Sequence, residues 1–206
     1  SDLGKGHFEN AHLIFDRTRP KIFASALDLD IIKKYGIQCE AIKIKNSKKH
    51  NRISGKRIGL NYNGITKENF LLIRKLTKAK FIDISKELGE ARAVKTKREI
   101  EKMRRAGKIS MKIVNEITDY IKEGITEIKL AAKMEHLMRE HDCHHAFHII
   151  VSFGPNSAEI HHVSDKRKLR AGDFILIDFG VKYEKYNSDV SRTFVLGKPA
   201  DRQQAM

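Results

Sequence analysis

Short apolar runs alternate with amphipathic stretches along the first ninety residues. Apolar side chains that alternate or run together predict strands at residues 12–16, 21–24, 39–44, 56–60 and 81–84. Apolar positions at helical spacing predict helices at residues 27–35 and 66–76. This alternation of strands and helices predicts a small α/β domain over residues 1–90.

A second domain is predicted over residues 91–206, after a linker made of Gly89 and the basic residues 92–97. Thr96 and Glu99 have the spacing of a capping box, which predicts the start of a long helix. The apolar stripe of this helix consists of Ile100, Met103, Ile109, Ile113, Val114, Ile117 and Ile121. A second helix is predicted at residues 126–140, and a strand at residues 147–153.

The chemistry of the chain is concentrated in a predicted hairpin near its end. A continuous apolar run at residues 174–177 predicts a buried strand that ends at Asp178. Residues 180–187 turn the chain, and the return strand carries Asp189 and Ser191 on one face. Neighbouring antiparallel strands let the two acids face each other, and paired carboxylates favour a divalent cation. The alternative is that both acids are solvated caps of strand ends.

The hairpin resembles the first metal-binding hairpin of the pita-bread metallopeptidases, the family of creatinase, prolidase and aminopeptidase P. The resemblance rests on residues 178–180 (Asp-Phe-Gly), Tyr186 and residues 188–194 (Ser-Asp-Val-Ser-Arg-Thr-Phe), and upstream on residues 147–151, Gly154, His161, Leu169, Gly172 and Asp173. It implies an α/β N-terminal domain of the creatinase type over residues 1–90. It also implies that residues 91–206 are the first half of an α+β pita-bread catalytic domain.

The resemblance also implies the chemistry of the site. Members of the family hold two divalent ions between five side chains, of which Asp178 would bind one ion and Asp189 would bridge both. Mn²⁺ and Co²⁺ are the expected ions, with Zn²⁺ and Fe²⁺ as alternatives, and they would activate a water molecule to attack a peptide carbonyl. His161 corresponds to the family's catalytic, substrate-binding histidine. Ser191 is expected to hold a ligand carboxylate by a hydrogen bond.

The remaining three ligands, a histidine and two glutamates, are not found at the expected downstream positions, because residues 190–206 contain neither His nor Glu. Both ends of the chain also resemble cuts through a longer protein. We therefore expect a parent protein that hydrolyses Xaa-Pro bonds, as a dipeptidase or an aminopeptidase, and expect these 206 residues to be inactive alone.

Two histidines compete for the role of the active imidazole. His161 matches the family without a gap to Asp178, whereas a register shift of one residue would select His162. Alternation along a strand would place the two rings on opposite faces, so that only one enters the site. A second histidine-rich stretch, with His141, Cys143 and His144, lacks the usual spacing of zinc ligands and is interpreted as a helix end and a polar loop.

The net charge of +15 raises the question of a polyanionic partner. Residues 43–67 are basic and contain no acid, but no nucleic-acid-binding motif accompanies them, so nucleic acid is not an expected partner. The expected partners are peptides with proline at the second position and, from the resemblance, a second copy of the chain in a homodimer. The alternative function is a non-catalytic, peptidase-like module that binds protein or nucleic acid.

The location of the protein is predicted from two features of the sequence. Cys39 and Cys143 are far apart, which fits a reducing cytoplasm better than a disulfide framework. No apolar run is long enough for a membrane span, so a membrane is not an expected partner. We therefore expect a cytoplasmic protein.

Overall fold

The structure is a computed structural model that describes residues 12–14, 21–24, 32, 40–43 and 55–205. The chain divides into two units, residues 1–95 and 96–206, and each is described by itself. The helix predicted at residues 27–35 lies outside the described residues except at Ile32, which is helical. Residues 44–54 of the basic stretch also lie outside them.

The first unit contains the predicted strands in two small sheets. The strands are β1 (His12–Ile14), β2 (Lys21–Ala24), β3 (Glu40–Lys43), β4 (Arg57–Leu60) and β5 (Lys80–Asp83). β2 pairs antiparallel with β1 and parallel with β3, and β4 pairs parallel with β5. Parallel pairing of β4 and β5 requires a crossover, which the helix between them provides.

That crossover is helix α1 (Lys67–Leu76), and it begins where the sequence predicts. The backbone N–H of Asn69 donates to Thr66 Oγ1 at 3.2 Å, so Thr66 is the N-cap. Phe70 packs edge-on against Phe81 of β5, with ring centroids 5.2 Å apart. This contact joins the crossover helix to the strand that follows it.

The predicted linker at Gly89 is wrong for its first part, because residues 85–93 form helix α2 (Ser85–Ala93). Most of this segment consists of good helix formers, which outweigh the single Gly89. Ser85 donates to Asp83 Oδ1 from its hydroxyl at 2.5 Å and from its backbone N–H at 2.9 Å. These hydrogen bonds hold the pKa of Asp83 below its usual value and hold the chain at the helix entrance.

The second unit consists of two long helices and two antiparallel three-stranded sheets. Its elements are α3 (Lys97–Ile117), a 3₁₀ turn (Thr118–Tyr120), α4 (Glu127–Glu140), β6 (His144–His145), β7 (Ile150–Phe153), a second 3₁₀ turn (Gly154–Ala158), β8 (Phe174–Phe179), β9 (Val181–Tyr183), β10 (Tyr186–Asn187), β11 (Val190–Val195) and α5 (Asp201–Gln204). The sheets have the strand orders β11-β8-β7 and β10-β9-β6. The strand predicted at residues 147–153 therefore starts three residues later, at Ile150.

Buried side chains of α3, α4 and the sheets form the core of this unit. From α3 and α4 the core contains Ala106, Ile109, Ile113, Val114, Ile117, Leu130, Met134, Leu137 and Met138. The prediction is wrong for Ile100 and Met103, which are 37% and 41% exposed. Within the described residues, no helix combines the length and the apolar character that crossing a bilayer requires.

The first turns of α3 make polar contacts with the β9–β10 hairpin. The capping box is present: Glu99 N–H donates to Thr96 Oγ1 at 3.3 Å, and Thr96 N–H donates to Glu99 Oε2 at 2.7 Å. The Tyr186 hydroxyl donates to Glu99 Oε1 at 2.9 Å, and Lys102 pairs with Glu184 at 2.9 Å. The start of the helix is thereby joined to the turn that precedes Asp189.

Candidate active site

Asp178 lies near the end of the central strand of its sheet. Along β8 the side chains of Ile175, Ile177 and Phe179 are buried, while Asp178 between them is half-buried on the other face. Its neighbours across the sheet are Ile150 of β7 and Ser191 of β11. The alternation of a strand with one face in the core therefore presents this carboxylate on the outer face.

Asp189 and Ser191 follow on the returning chain. The strand register places Ser191, and not Asp189, directly opposite Asp178. Ser191 lies directly across from Asp178, and its hydroxyl donates to Asp178 Oδ1 at 3.0 Å. Asp189 precedes Ser191 by two residues and is exposed, diagonally across from Asp178. The expected contact of Ser191 is thus present, and it fixes one oxygen of Asp178.

The segment just before Asp189 is held by a small buried hydrogen-bond network. Ser188 Oγ accepts from the N–H of Val181 at 2.9 Å and lies 2.6 Å from Ser110 Oγ of α3. A side chain at Gly180 would overlap the carbonyl of Ser188, so the two backbones approach closely at this point. This network anchors the hairpin to the core and sets where Asp189 leaves it.

The two aspartates have the donor chemistry of a cation site. Within the described part of the chain, neither Asp178 nor Asp189 forms an ion pair, and Asp178 receives one side-chain hydrogen bond. Two carboxylates on one face without a neighbouring base fit a hard or borderline divalent ion. Among the described residues, neither aspartate belongs to a group of three His, Cys, Asp or Glu with ligand atoms within 4.8 Å of one another. The set therefore suits a divalent ion and is incomplete by itself.

A second acidic cluster lies at the start of α4, and sequence reasoning did not find it. Glu127, His162 and Asp165 offer ligand atoms within 4.8 Å of one another. Glu127 is fully buried in the first helical turn. From the sequence, an acid at that position is expected to be exposed and to interact favourably with the helix dipole. No pattern in the sequence distinguishes the two situations.

Glu127 is already satisfied by hydrogen-bond donors. Its Oε1 accepts from the N–H of Phe153 at 2.7 Å and from Asn156 Nδ2 at 3.0 Å. Its Oε2 accepts from His162 Nε2 at 2.8 Å and from the N–H of Asp165 at 3.0 Å. A carboxylate offers about four lone-pair sites, and all are used here, so this cluster joins parts of the fold and does not fit a metal ion.

His162 is a buried part of this network. Its Nε2 faces Glu127 and its Nδ1 lies 2.8 Å from Glu159 Oε2. Burial opposes the charged imidazole, but the hydrogen bonds and the charges of both glutamates outweigh burial and raise the pKa of His162 above its usual value. With both ring nitrogens bonded to carboxylates, His162 has no free nitrogen to offer to a ligand.

His161, in contrast, is exposed and lies in a turn. Its φ of 62° is in the left-handed region, so the prediction that both histidines lie on a strand is wrong. The two rings still face different surroundings, because the turn buries one residue and exposes the next. The hydroxyl of Ser164 accepts from Val151 N–H at 3.0 Å and donates to its carbonyl at 2.9 Å, which fastens this turn to the edge of β7.

The histidine-rich stretch after α4 is divided among separate contacts. His141 Nε2 lies 3.1 Å from the carboxylate oxygens of Glu116, and Arg139 contacts His144 at 2.6 Å. Cys143 is buried and free. Burial raises the pKa of the Cys143 thiol.

Comparison with known proteins gives a family and several relatives. Residues 101–206 match the model of metallopeptidase family M24. The Xaa-Pro dipeptidase of Pyrococcus furiosus is 39% identical over 125 residues, which are 60% of this chain and 35% of that protein. The chain thus spans about a third of the length of this curated relative.

Solved structures share the fold over nearly the whole chain. An X-Pro aminopeptidase from Thermotoga maritima superimposes with a TM-score of 0.84 at 28% identity, covering 95% of this chain and 58% of that one. An Xaa-Pro dipeptidase from Bacillus anthracis superimposes with a TM-score of 0.87 at 23% identity, covering 98% of this chain and 59% of that one. At that identity the second likeness shows the fold alone.

Proposed function

Because the chain belongs to metallopeptidase family M24, we propose that the protein hydrolyses the peptide bond before a proline at the second position of its substrates. The relative with 39% identity is named as an Xaa-Pro dipeptidase, and a structural neighbour with 28% identity as an X-Pro aminopeptidase. The observation that carries the proposal is the pair of carboxylates on one sheet face, Asp178 and Asp189, with no cation from the described residues to balance them.

In this proposal Asp178 and Asp189 hold divalent ions, with Mn²⁺ and Co²⁺ expected first and Zn²⁺ and Fe²⁺ as alternatives. Such ions supply a water molecule of lowered pKa and polarise the carbonyl of the scissile bond. The part of Ser191 is to orient Asp178, since its hydroxyl already donates to one carboxylate oxygen at 3.0 Å. Asp189 is exposed and free of ion pairs with the described residues, which supports its role as the second ligand.

His161 is proposed as the residue that contacts the substrate. An imidazole can donate a hydrogen bond to the peptide or to the charge that develops on its carbonyl oxygen. Two observations support His161 over His162: its ring is exposed, and both nitrogens of His162 are bonded to glutamates. The fastening of this turn to β7 by Ser164 keeps it beside the sheet that carries Asp178.

The finer features of the protein are proposed on the same basis. The first half of a pita-bread domain over residues 91–206 is proposed from the family, and a creatinase-type α/β domain over residues 1–90 is proposed from the resemblance in layout alone. A homodimer follows from the resemblance alone. A cytoplasmic location is supported by the two distant cysteines, of which Cys143 is buried and free. Residues 1–206 alone are proposed to be inactive, because two carboxylates bind a divalent ion weakly.

The experiment that tests the proposal is hydrolysis of Met-Pro and of a longer Xaa-Pro peptide with added Mn²⁺ or Co²⁺. It uses the complete protein, its Asp178→Ala variant, and residues 1–206. We expect the complete protein to cleave, and both the variant and residues 1–206 to be inactive. Cleavage of Met-Pro alone indicates a dipeptidase, and cleavage of the longer peptide an aminopeptidase.

The alternative of a non-catalytic binding module is not favoured, because the named relatives are peptidases. Absence of metal-dependent cleavage of either peptide by the complete protein would reverse this preference. The basic residues 43–67 would then be the first segment of the sequence to test for binding to a partner.

A further inference from the structure

One buried carboxylate holds three parts of the second unit together. Glu127 Oε1 binds the N–H of Phe153 at the end of β7 and the side chain of Asn156 in the following 3₁₀ turn. Glu127 Oε2 binds the ring of His162 and the N–H of Asp165, which lie in the next turn. The first turn of α4 is thereby joined to the strand end and to the turn that contains His161.

The contacts that hold the His162 ring, called here the clamp, lie next to His161 in the chain. The ring of His162 is held between Glu127 and Glu159, both at 2.8 Å, and its side chain is only 7% exposed. His161, one residue earlier, has a φ of 62°, which residues other than glycine adopt only when surrounding contacts hold them there. The clamp provides such contacts on the C-terminal side of His161, and Glu159 provides them two residues before it.

The same turn is attached to β7 at one residue, Val151. Ser164 binds the N–H and the carbonyl of Val151, and Val151 pairs with Ile177, the residue before Asp178. Ile160 and Val163 are 89% and 67% exposed, so the turn is not held by apolar burial of these residues. Its conformation depends instead on the polar contacts of Glu127, His162 and Ser164.

From this geometry we infer that Glu127 is a positioning residue for His161 and acts through the ring of His162. The inference rests on the proposed function, in which His161 contacts the substrate. Glu127 itself is fully buried and saturated with donors, so it does not meet the substrate. Its contribution is to hold the turn in the conformation that presents the His161 imidazole.

The charged groups that face His162 all come from the described network. They are Glu127 of α4, Glu159 just after the 3₁₀ turn, and Asp165 in the following turn, which also contains His162. Asp165 offers a carboxylate oxygen within 4.8 Å of the ligand atoms of Glu127 and His162. All three are acids, and they favour a protonated ring that donates from both nitrogens. The two donors can be removed separately by substitution, because Gln reaches to the position of Nε2 and Asn to that of Nδ1.

The test compares His162→Asn with His162→Gln in the complete, metal-loaded protein. His162→Asn keeps a donor towards Glu159 and loses the one towards Glu127, whereas His162→Gln keeps the donor towards Glu127. We expect His162→Asn to lower kcat on Met-Pro by about 10–100-fold with little change of KM. We expect His162→Gln to remain within about 5-fold of the wild type.

A double-mutant cycle separates positioning from a general structural role. If Glu127 and His162 act through His161, His162→Asn has almost no further effect on kcat in the His161→Ala background. An undiminished loss in that background, or equal losses in His162→Asn and His162→Gln, would overturn the inference. Met134→Ala, in the core of α4 and outside the turn, is the control for lost stability.

A second readout keeps the inference decidable if the proposed function fails. The ring resonances of His161 are followed by NMR in the wild type and in His162→Asn. We expect one sharp set in the wild type and broadened or multiple sets in the variant. An unchanged His161 spectrum would contradict the inference whether or not the protein is active, while an inactive wild type would contradict only the proposed function.

Discussion

Two acidic sites in the second unit use carboxylates in opposite ways. On the outer face of the sheet, Asp178 accepts one side-chain hydrogen bond, from Ser191, and neither Asp178 nor Asp189 has an ion pair with the described residues. At the start of α4, Glu127 is buried and receives four hydrogen bonds, two of them from backbone N–H groups. The Glu127 cluster contains three possible metal-ligating groups within 4.8 Å of one another, whereas Asp178 and Asp189 belong to no such group of the described residues.

The difference shows that the number of hydrogen-bond donors around a carboxylate, and not the clustering of acids, indicates which site can still bind a cation. A buried carboxylate whose lone pairs are all used contributes to folding, because removing it leaves its donors unsatisfied. A carboxylate on an open face with unused lone pairs can accept a cation. The strongest test of the comparison is therefore to mutate an acid at each site. Mutation on the open sheet face should lower activity and leave stability unchanged, and mutation of Glu127 should lower stability.

The largest effect is expected for Asp178→Ala in the complete protein. In the proposed function Asp178 is a metal ligand, and its loss removes the Lewis-acid contribution of the ion, so activity on Met-Pro should fall by at least about 10³-fold. The midpoint of urea unfolding of the metal-free protein should change little, since the side chain is half-buried and lightly bonded. Asp119→Ala, an exposed acid in the turn after α3, should change neither quantity.

The reverse is expected for Glu127→Ala, measured on residues 1–206 or on the complete protein. Removing the carboxylate leaves the His162 ring and two backbone N–H groups buried without their acceptor, which should cost about 3–5 kcal/mol of unfolding free energy. Glu135→Ala on the exposed face of the same helix should stay within about 0.5 kcal/mol. Similar unfolding midpoints for the two variants would remove the distinction between the sites.

A smaller effect is expected for Ser191→Ala. In the proposed site, Ser191 orients the ligand Asp178 by its hydrogen bond without binding an ion, so the affinity for Mn²⁺ in a calorimetric titration of the complete protein should fall by about 10–100-fold. Thr193→Ala, two residues further along the same face of β11, is the matched control and should retain the wild-type affinity. An equal loss in both variants would mean that the face as a whole, and not the Ser191 contact, sets the affinity.

The smallest effect is the pH dependence of the buried site. The pKa of His162 is raised in the folded state from its ordinary value of 6.5, mainly because hydrogen bonds to Glu127 and Glu159 outweigh the opposing effect of burial. Its contribution to stability is therefore complete below that ordinary value and is lost as the pH rises through the raised one. Urea unfolding of the wild type and of His162→Gln between pH 5 and about 9 should show the difference in stability shrink as the pH rises. A constant difference would contradict the assignment of the charge to His162.

Elements with a strong local signal were predicted well from the sequence. The capping box at Thr96, the N-cap Thr66, the five strands of the first unit and the strand that ends near Asp178 are all present. Each of these signals comes from residues within a few positions of one another. Where burial depends on what packs against a segment, prediction failed: Ile100 and Met103 fit the helical stripe but are 37% and 41% exposed.

The sequence by itself determined the family and the candidate ligands, because the motif from His161 to Asp189 is continuous and its residue types are those that bind metals and substrates. Only the tertiary structure decided that Asp178 faces Ser191 and not Asp189, since register depends on pairing between strands. It also decided that His162 is buried and His161 exposed. His162 contacts Glu127, which is 35 residues from it in the chain and 2.8 Å from it in space.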